Sequence, residues 1–193
     1  TMHTHSPLGA SGAKRWLNCS GSYLLARELA EAGQLSDNSS EFANLGTDAH
    51  DAAAECLLND LEAYEIVAKT YGSHVAGKEI ELNALSVYLA ECREHMGPDD
   101  TILIEKHIDL PGLHPLMRGT MDFASYRPHK RLVVRDYKNG AGVAVDAEEN
   151  DQVLYYAFLV ASSLSLSQKE NGDFPVSIGI VQPRISGAEP VKT

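Results

Sequence analysis

The chain has 193 residues, of which 44% are hydrophobic and 22% charged. That composition suits one globular domain and excludes a disordered or fibrous chain. The 16 Lys and Arg stand against 27 Asp and Glu, for a net charge of −11, which argues against a bulk polyanion binder.

No apolar run reaches the roughly 18 residues of a membrane span, and the first residues show no basic-then-apolar leader. Three cysteines, Cys19, Cys56 and Cys92, are too few and too spread for a disulfide framework and suit a reducing, cytoplasmic setting. Each reads as a small buried hydrophobe.

In chain order, Thr1 to Leu8 reads as a loose end carrying His3 and His5. Ser11 is placed to cap a first helix through about Asn18, with Trp16 and Leu17 on its apolar side. Tyr23, Leu24, Leu25 and Leu29 predict a second amphipathic helix ending near Gly33. After a polar loop, Ser40 is placed to cap a helix whose stripe is Phe42, Leu45, Ala49, Ala53, Cys56 and Leu57. Shorter helical patterns cover Ala63 to Tyr71 and about Lys78 to His95, the latter with Leu82, Leu85, Tyr88, Leu89 and Cys92 inward.

The period then changes to two. Strands are predicted over Thr101–Leu110, Met117–Tyr126 and Arg131–Tyr137, with a hairpin loop at Arg127–Lys130. A helix over Glu148–Ser163 carries acids in its first turn, which suits the helix dipole. A last strand covers Pro175–Gln182. The expected class is α/β, one domain over 1–193, with a helical portion at about 11–96 and a sheet core at about 101–184.

Charge is unevenly spread. Between Arg27 and Lys69 acidic residues accumulate without a Lys or Arg. From Thr101 to Gly140 seven basic residues face four acidic ones, a local excess of +3. Such a zone can bind a phosphate backbone, or it can be an ordinary solvated sheet surface. Arg118, Lys130, Arg131 and Arg135 are its candidate DNA contacts.

Asp136 and Lys138 are two residues apart at a strand end and so project from one face. If the second and third strands form a hairpin, Asp122 can lie beside Asp136. Two carboxylates at close range repel unless a cation sits between them, and an oxygen-rich site of that kind suits Mg²⁺ or Mn²⁺. Lys138 would supply a fixed positive charge able to stabilise a pentavalent phosphorus transition state. Gln152 and Tyr156 share one helix face. His50 lies on a helix within Gly46-Thr-Asp-Ala-His50.

Singly these signals are weak. Together, His50, Gly119 to Asp122, Asp136 to Lys138, and Gln152 to Tyr156 resemble the PD-(D/E)XK nuclease superfamily in its RecB-like exonuclease branch. Further stretches, Ser11–Ser22, Leu45–His50, Asp136–Val143 and Asn150–Gln152, extend the likeness toward phage- and prophage-associated relatives. It spans roughly Ser6 to Arg184.

The resemblance implies a restriction-endonuclease-like αβββαβ core with a mixed sheet and a helical N-terminal subdomain. It also implies divalent-metal-dependent hydrolysis of DNA, and phage or host recombination proteins as possible partners. His50, Asp122 and Asp136, with the Tyr137 carbonyl, would hold the metal. Asp122, Asp136 and Lys138 would be catalytic. Glu105 would support a water at the metal, and Gln152 and Tyr156 would brace the site or contact DNA.

Many such relatives hold an iron–sulfur cluster through one early cysteine and three late ones. Cys19 matches the first, but no cysteine follows Cys92. Either the chain stops short of the cluster segment or it belongs to a cluster-free branch, and no cluster is expected from these residues alone. Two rival readings remain open. One is an HD-type phosphohydrolase built on His50-Asp51. The other is a catalytically silent DNA-binding or recruiting module on the same fold.

Overall fold

The computed structural model describes residues 6–34, 41–166 and 174–193. The expectations for His3, His5 and the Ser40 cap lie outside the described residues.

The helices are α1 (Ala13–Asn18), α2 (Gly21–Glu31), α3 (Glu41–Asn59), α4 (Leu82–Arg93) and α5 (Asp151–Ser163). The strands are β1 (Thr70–Tyr71), β2 (His74–Val75), β3 (Thr101–Asp109), β4 (Arg118–Arg127), β5 (Arg131–Tyr137), β6 (Val176–Val181) and β7 (Val191–Lys192). The main sheet runs β3-β4-β5-β6-β7 and is mixed: β5 and β6 are parallel, and the other pairs are antiparallel. The parallel pair needs a crossover, and α5 lies in that connection.

Each face of the sheet buries its own core. On one side Leu132, Val134 and Ile180 pack with Val153, Leu159 and Val160 of α5, and Trp16 of α1 joins them. On the other side Phe123, Tyr137 and Val181 pack with Ala53 and Cys56 of α3 and with Leu85, Tyr88 and Leu89 of α4. Helices on both faces of a mostly buried sheet make an α/β sandwich. Gly119 is a point of close approach: a Cβ there would meet Leu159 Cδ1 at 3.1 Å and Tyr156 at 3.4 Å.

Several local expectations are corrected. Ser11 does not cap α1; it lies in a 3-10 turn over Ala10–Gly12 that leads into the helix without a side-chain cap bond. Residues 63–71 are not one helix. A 3-10 turn spans Ala63–Ile66, closed by a Glu62/Glu65 capping box, and the β1–β2 hairpin follows. That hairpin is held from α3, where buried Asp48 accepts from the Ser73 N–H at 3.0 Å and pairs with His74 Nδ1 at 2.7 Å. Gly72, at φ +52, leaves room for that carboxylate. β7 adds an edge strand that the sequence reading did not include. Leu17, Leu24, Leu25 and Phe42 are exposed, not inward. Cys56 and Cys92 are buried, whereas Cys19 is exposed. Among the described residues no helix is long and apolar enough to cross a membrane.

Candidate functional site

The site begins where two strands part. β4 and β5 pair from Arg127↔Arg131 to Phe123↔Arg135, and the ladder goes no further. Beyond it the Tyr137 N–H donates to the Asp122 carboxylate, Oδ2 at 2.6 Å. A side chain thus satisfies a buried backbone donor at the fork, which pins Asp122 there.

β3 turns at the same level. Its pairing with β4 sets Glu105 opposite Asp122, between Ile104↔Phe123 and Lys106↔Met121. Glu105 has φ +43, the only positive φ among the described strand residues. Such a conformation in a non-glycine residue costs on the order of 1–3 kcal/mol and concentrates at functional sites.

The inward alternation slips by one residue on both strands here. Ile102 and Ile104 face α3 and α4, while Ile108 faces α5. Phe123 faces α3 and α4, while Met121 and Ala124 both face α5. A slip of this kind re-aims side chains beside it, as a bulge does.

α3 brings His50 into the fork. His50 Nδ1 lies 3.0 Å from Glu105 Oε1 and 3.4 Å from Asp122 Oδ1. One ligand-capable atom from each of His50, Glu105 and Asp122 falls within 4.8 Å of the others. Burial alone would depress the imidazole, but Asp122 and then Glu105 outweigh it, and the His50 pKa sits well above its ordinary value. Burial, with the charge of Asp122, pushes Glu105 up. The acidic partners of His50 come from β3 and β4; Asp51 is exposed on α3.

α5 approaches from the opposite side. Its Asn150 cap accepts from the Gln152 and Val153 N–H groups, which sets the first turn. From there Gln152 bridges two groups. Its carbonyl accepts from Lys138 Nζ at 3.1 Å, and its amide donates to Asp136 Oδ1 at 3.4 Å. Lys138 Nζ also lies 2.8 Å from Asp136 Oδ2. That ion pair and the Gln152 amide are the polar contacts of a carboxylate that is only 2% exposed. Burial and the nearby Asp122 push Asp136 up to about 6, against the pull of Lys138. Tyr156, one turn after Gln152, is buried and its phenol is raised, first by burial and then by Asp122 and Asp136.

His50, Asp122, Asp136, Lys138, Gln152 and Tyr156 line one cleft of about 390 Å³, with Arg118 and Thr120 also on its wall. The N-terminal segment from Ser6 to Ser11 lines part of it, a role that the Ser11–Ser22 stretch did not by itself specify. The grouping of side chains differs from the expected one in two respects. Glu105, not Asp136, completes the close trio with His50 and Asp122, because Asp136 is drawn to Lys138 and Gln152. The Tyr137 backbone serves the site through its N–H to Asp122.

The expected DNA contacts need correction. Arg135 is 3% exposed and meets Glu91 Oε1 of α4 at 2.7 Å, His95 Nε2 just past α4 at 3.1 Å and Ser177 Oγ of β6 at 3.1 Å. Arg131 and Arg127 both pair with Asp100. The local positive excess is therefore partly offset by Asp100, just before the window that defined it, and by Glu91 on α4. Arg118 lines the cleft and Lys130 is exposed in the β4–β5 turn.

Fold and site together define an α/β sandwich with a half-buried imidazole–carboxylate cluster at a strand fork. The chain belongs to the family described as "Protein of unknown function (DUF2800)", whose model matches residues 5–193. No solved structure matches it.

Proposed function

We propose that this protein is a divalent-metal-dependent deoxyribonuclease, an exonuclease on the RecB-like resemblance, that hydrolyses phosphodiester bonds in DNA processing. In this reading α4, β3, β4, β5, α5 and β6 form the αβββαβ core of a PD-(D/E)XK nuclease, and the remaining helices form the leading subdomain.

The observation that carries the reading is the convergence at the β4–β5 fork. His50, Glu105 and Asp122 meet there, with Asp136, Lys138 and Gln152 on the same cleft. The donor set fits a cation: His50, Glu105 and Asp122 each offer one ligand-capable atom within 4.8 Å of the others. A nitrogen among oxygens suits Mn²⁺ better than Mg²⁺.

The ion, held by His50, Glu105 and Asp122, would activate water as a Lewis acid and offset phosphate charge. The chain's own residues do the rest. Gln152 holds Lys138 against Asp136, so the ammonium reaches the cleft from a fixed position. There it donates to a phosphate oxygen as charge builds at phosphorus. Water oxygen joins phosphorus as the P–O bond to the leaving strand breaks, giving a phosphate monoester and a free hydroxyl. Arg118 is placed to hold a neighbouring phosphate.

The test is a time course on end-labelled linear DNA and on circular DNA with Mn²⁺, Mg²⁺ or a chelator. Expected is shortening of linear DNA that is faster with Mn²⁺, absent with chelator, and weak on circles. DNA binding with no hydrolysis under any ion would favour the silent-module reading instead.

A further inference from the structure

Three rings stand in a row at the cluster. Tyr88 of α4 and Tyr137 of β5 are stacked, with centroids 4.5 Å apart and planes 16° apart. Tyr137 in turn meets the His50 imidazole, with centroids 5.3 Å apart and planes inclined at 51°. Both tyrosines are fully buried in the core against α3 and α4. His50 lies at the wall of the cleft, so its ring has an open side and a packed side.

The packed side has a chemical consequence. A histidine ring turns about a χ2 bond with a broad energy profile, so its plane is loosely set by the side chain itself. Glu105 and Asp122 attract Nδ1, but the two carboxylates also repel each other and so leave the imidazole's attitude open. A close-packed neighbour can fix it, because a dense interior leaves no room for the ring to swing. Tyr137 is itself held. Tyr88 covers one of its faces, and its strand end is tied to β6 by the Lys138 N–H, which donates to the Val181 carbonyl at 2.8 Å. One residue thereby addresses two members of the trio: the Tyr137 N–H holds Asp122, and the Tyr137 ring backs His50. Its hydroxyl reaches Asn139 Oδ1 at 3.4 Å, a weak bond, so the ring is the part that matters.

We propose that Tyr137, backed by Tyr88, is a positioning residue that turns His50 Nδ1 toward Glu105 and Asp122 and so sets the affinity of the ion site. The assignment rests on the metal-dependent reading above and adds the side chains that preorganise its ligands. Outer residues that orient a ligating histidine are worth roughly ten- to a hundred-fold in metal affinity.

The test compares wild type with Tyr137→Phe, Tyr137→Leu and Tyr88→Leu. Leu132→Ala is the control: Leu132 is buried near the other end of β5, in the core on the opposite face. Two readouts avoid catalysis. Mn²⁺ affinity is taken from electron paramagnetic resonance well below each thermal midpoint. In the ion-free protein Nδ1 faces two acceptors and so carries a proton, and ¹H–¹⁵N NMR follows that proton's protection from exchange. Tyr137→Phe should match the wild type in both. Tyr137→Leu should weaken Mn²⁺ binding roughly ten-fold or more and lose the protected signal, with Tyr88→Leu shifted the same way and less. Leu132→Ala should lower the thermal midpoint and change neither readout.

Wild-type Mn²⁺ affinity or an unchanged His50 signal in Tyr137→Leu overturns the assignment, as does an equal loss in Leu132→Ala. If Tyr137→Leu does not fold, wild-type values in Tyr88→Leu overturn it instead. A wild type that binds no Mn²⁺ removes the ion reading and leaves the NMR arm to decide the positioning. Conversely, Tyr137-dependent Mn²⁺ binding without any DNA cleavage keeps the positioning and removes the nuclease.

Discussion

Lys138→Ala is expected to lower metal-dependent DNA cleavage roughly a hundred- to a thousand-fold, the usual loss when one preorganised donor to a developing charge is removed. Lys138 is part-exposed, and its Nζ meets Asp136 and Gln152 rather than any packed core. The change also leaves the 2% exposed Asp136 without its ammonium partner, so a modest fall in thermal midpoint is expected and rates are read well below it. Lys138→Arg should recover only part of the rate, because a planar guanidinium cannot reproduce a compact ammonium held between Asp136 and Gln152. Initial rates on end-labelled DNA at saturating Mn²⁺ read the effect. Cleavage at the wild-type rate by purified Lys138→Ala would remove the lysine from the chemistry.

Arg135→Ala is expected to destabilise the fold by about 3 kcal/mol, because it leaves part-buried Glu91 with His95 as its remaining partner. The guanidinium also lies over Gly179, where a Cβ would sit 2.9 Å from Arg135 Cδ, so the change removes packing as well. For a chain of this length the thermal midpoint should fall on the order of 10 °C. Glu91→Leu with Arg135→Met should restore much of it, since both charges then leave together.

The same pair sets a pH dependence. Burial raises the Glu91 carboxyl, but Arg135 and then His95 outweigh burial and leave it below its ordinary value. Its contribution is present in full above the ordinary carboxylate pKa and is lost as pH falls through the lowered one. Arg135→Ala should therefore lose its deficit relative to wild type in acid. Circular-dichroism melts at neutral and acid pH check both points, and a neutral-pH midpoint within a degree or so of wild type would contradict the assignment.

The sheet was legible because alternation is local. β3, β4, β5 and β6 lie within a residue or two of their expected spans, and α3 follows its apolar spacing. What failed depended on distant partners. Residues 63–71 carry helical spacing, yet the turn at Gly72 and Ser73 is set by Asp48 on α3. Phe42 fits a buried stripe by period but stands beyond the region where α3 meets the sheet. Arg135 read as a surface cation because the acid that buries it lies on α4. Glu105 stands in no quoted motif, yet it is the carboxylate closest to His50. Its role comes from a left-handed backbone and a register partner, neither of which a motif encodes.

The site's central physical premise is that His50, Glu105 and Asp122 hold one divalent ion. Electron paramagnetic resonance of Mn²⁺ titrated into the protein tests it without any substrate. One saturable Mn²⁺ per chain is expected for the wild type, lost in Asp122→Asn and in Glu105→Gln and kept in Lys138→Ala. Free Mn²⁺ throughout the wild-type titration, or equal binding by Asp122→Asn, would contradict it.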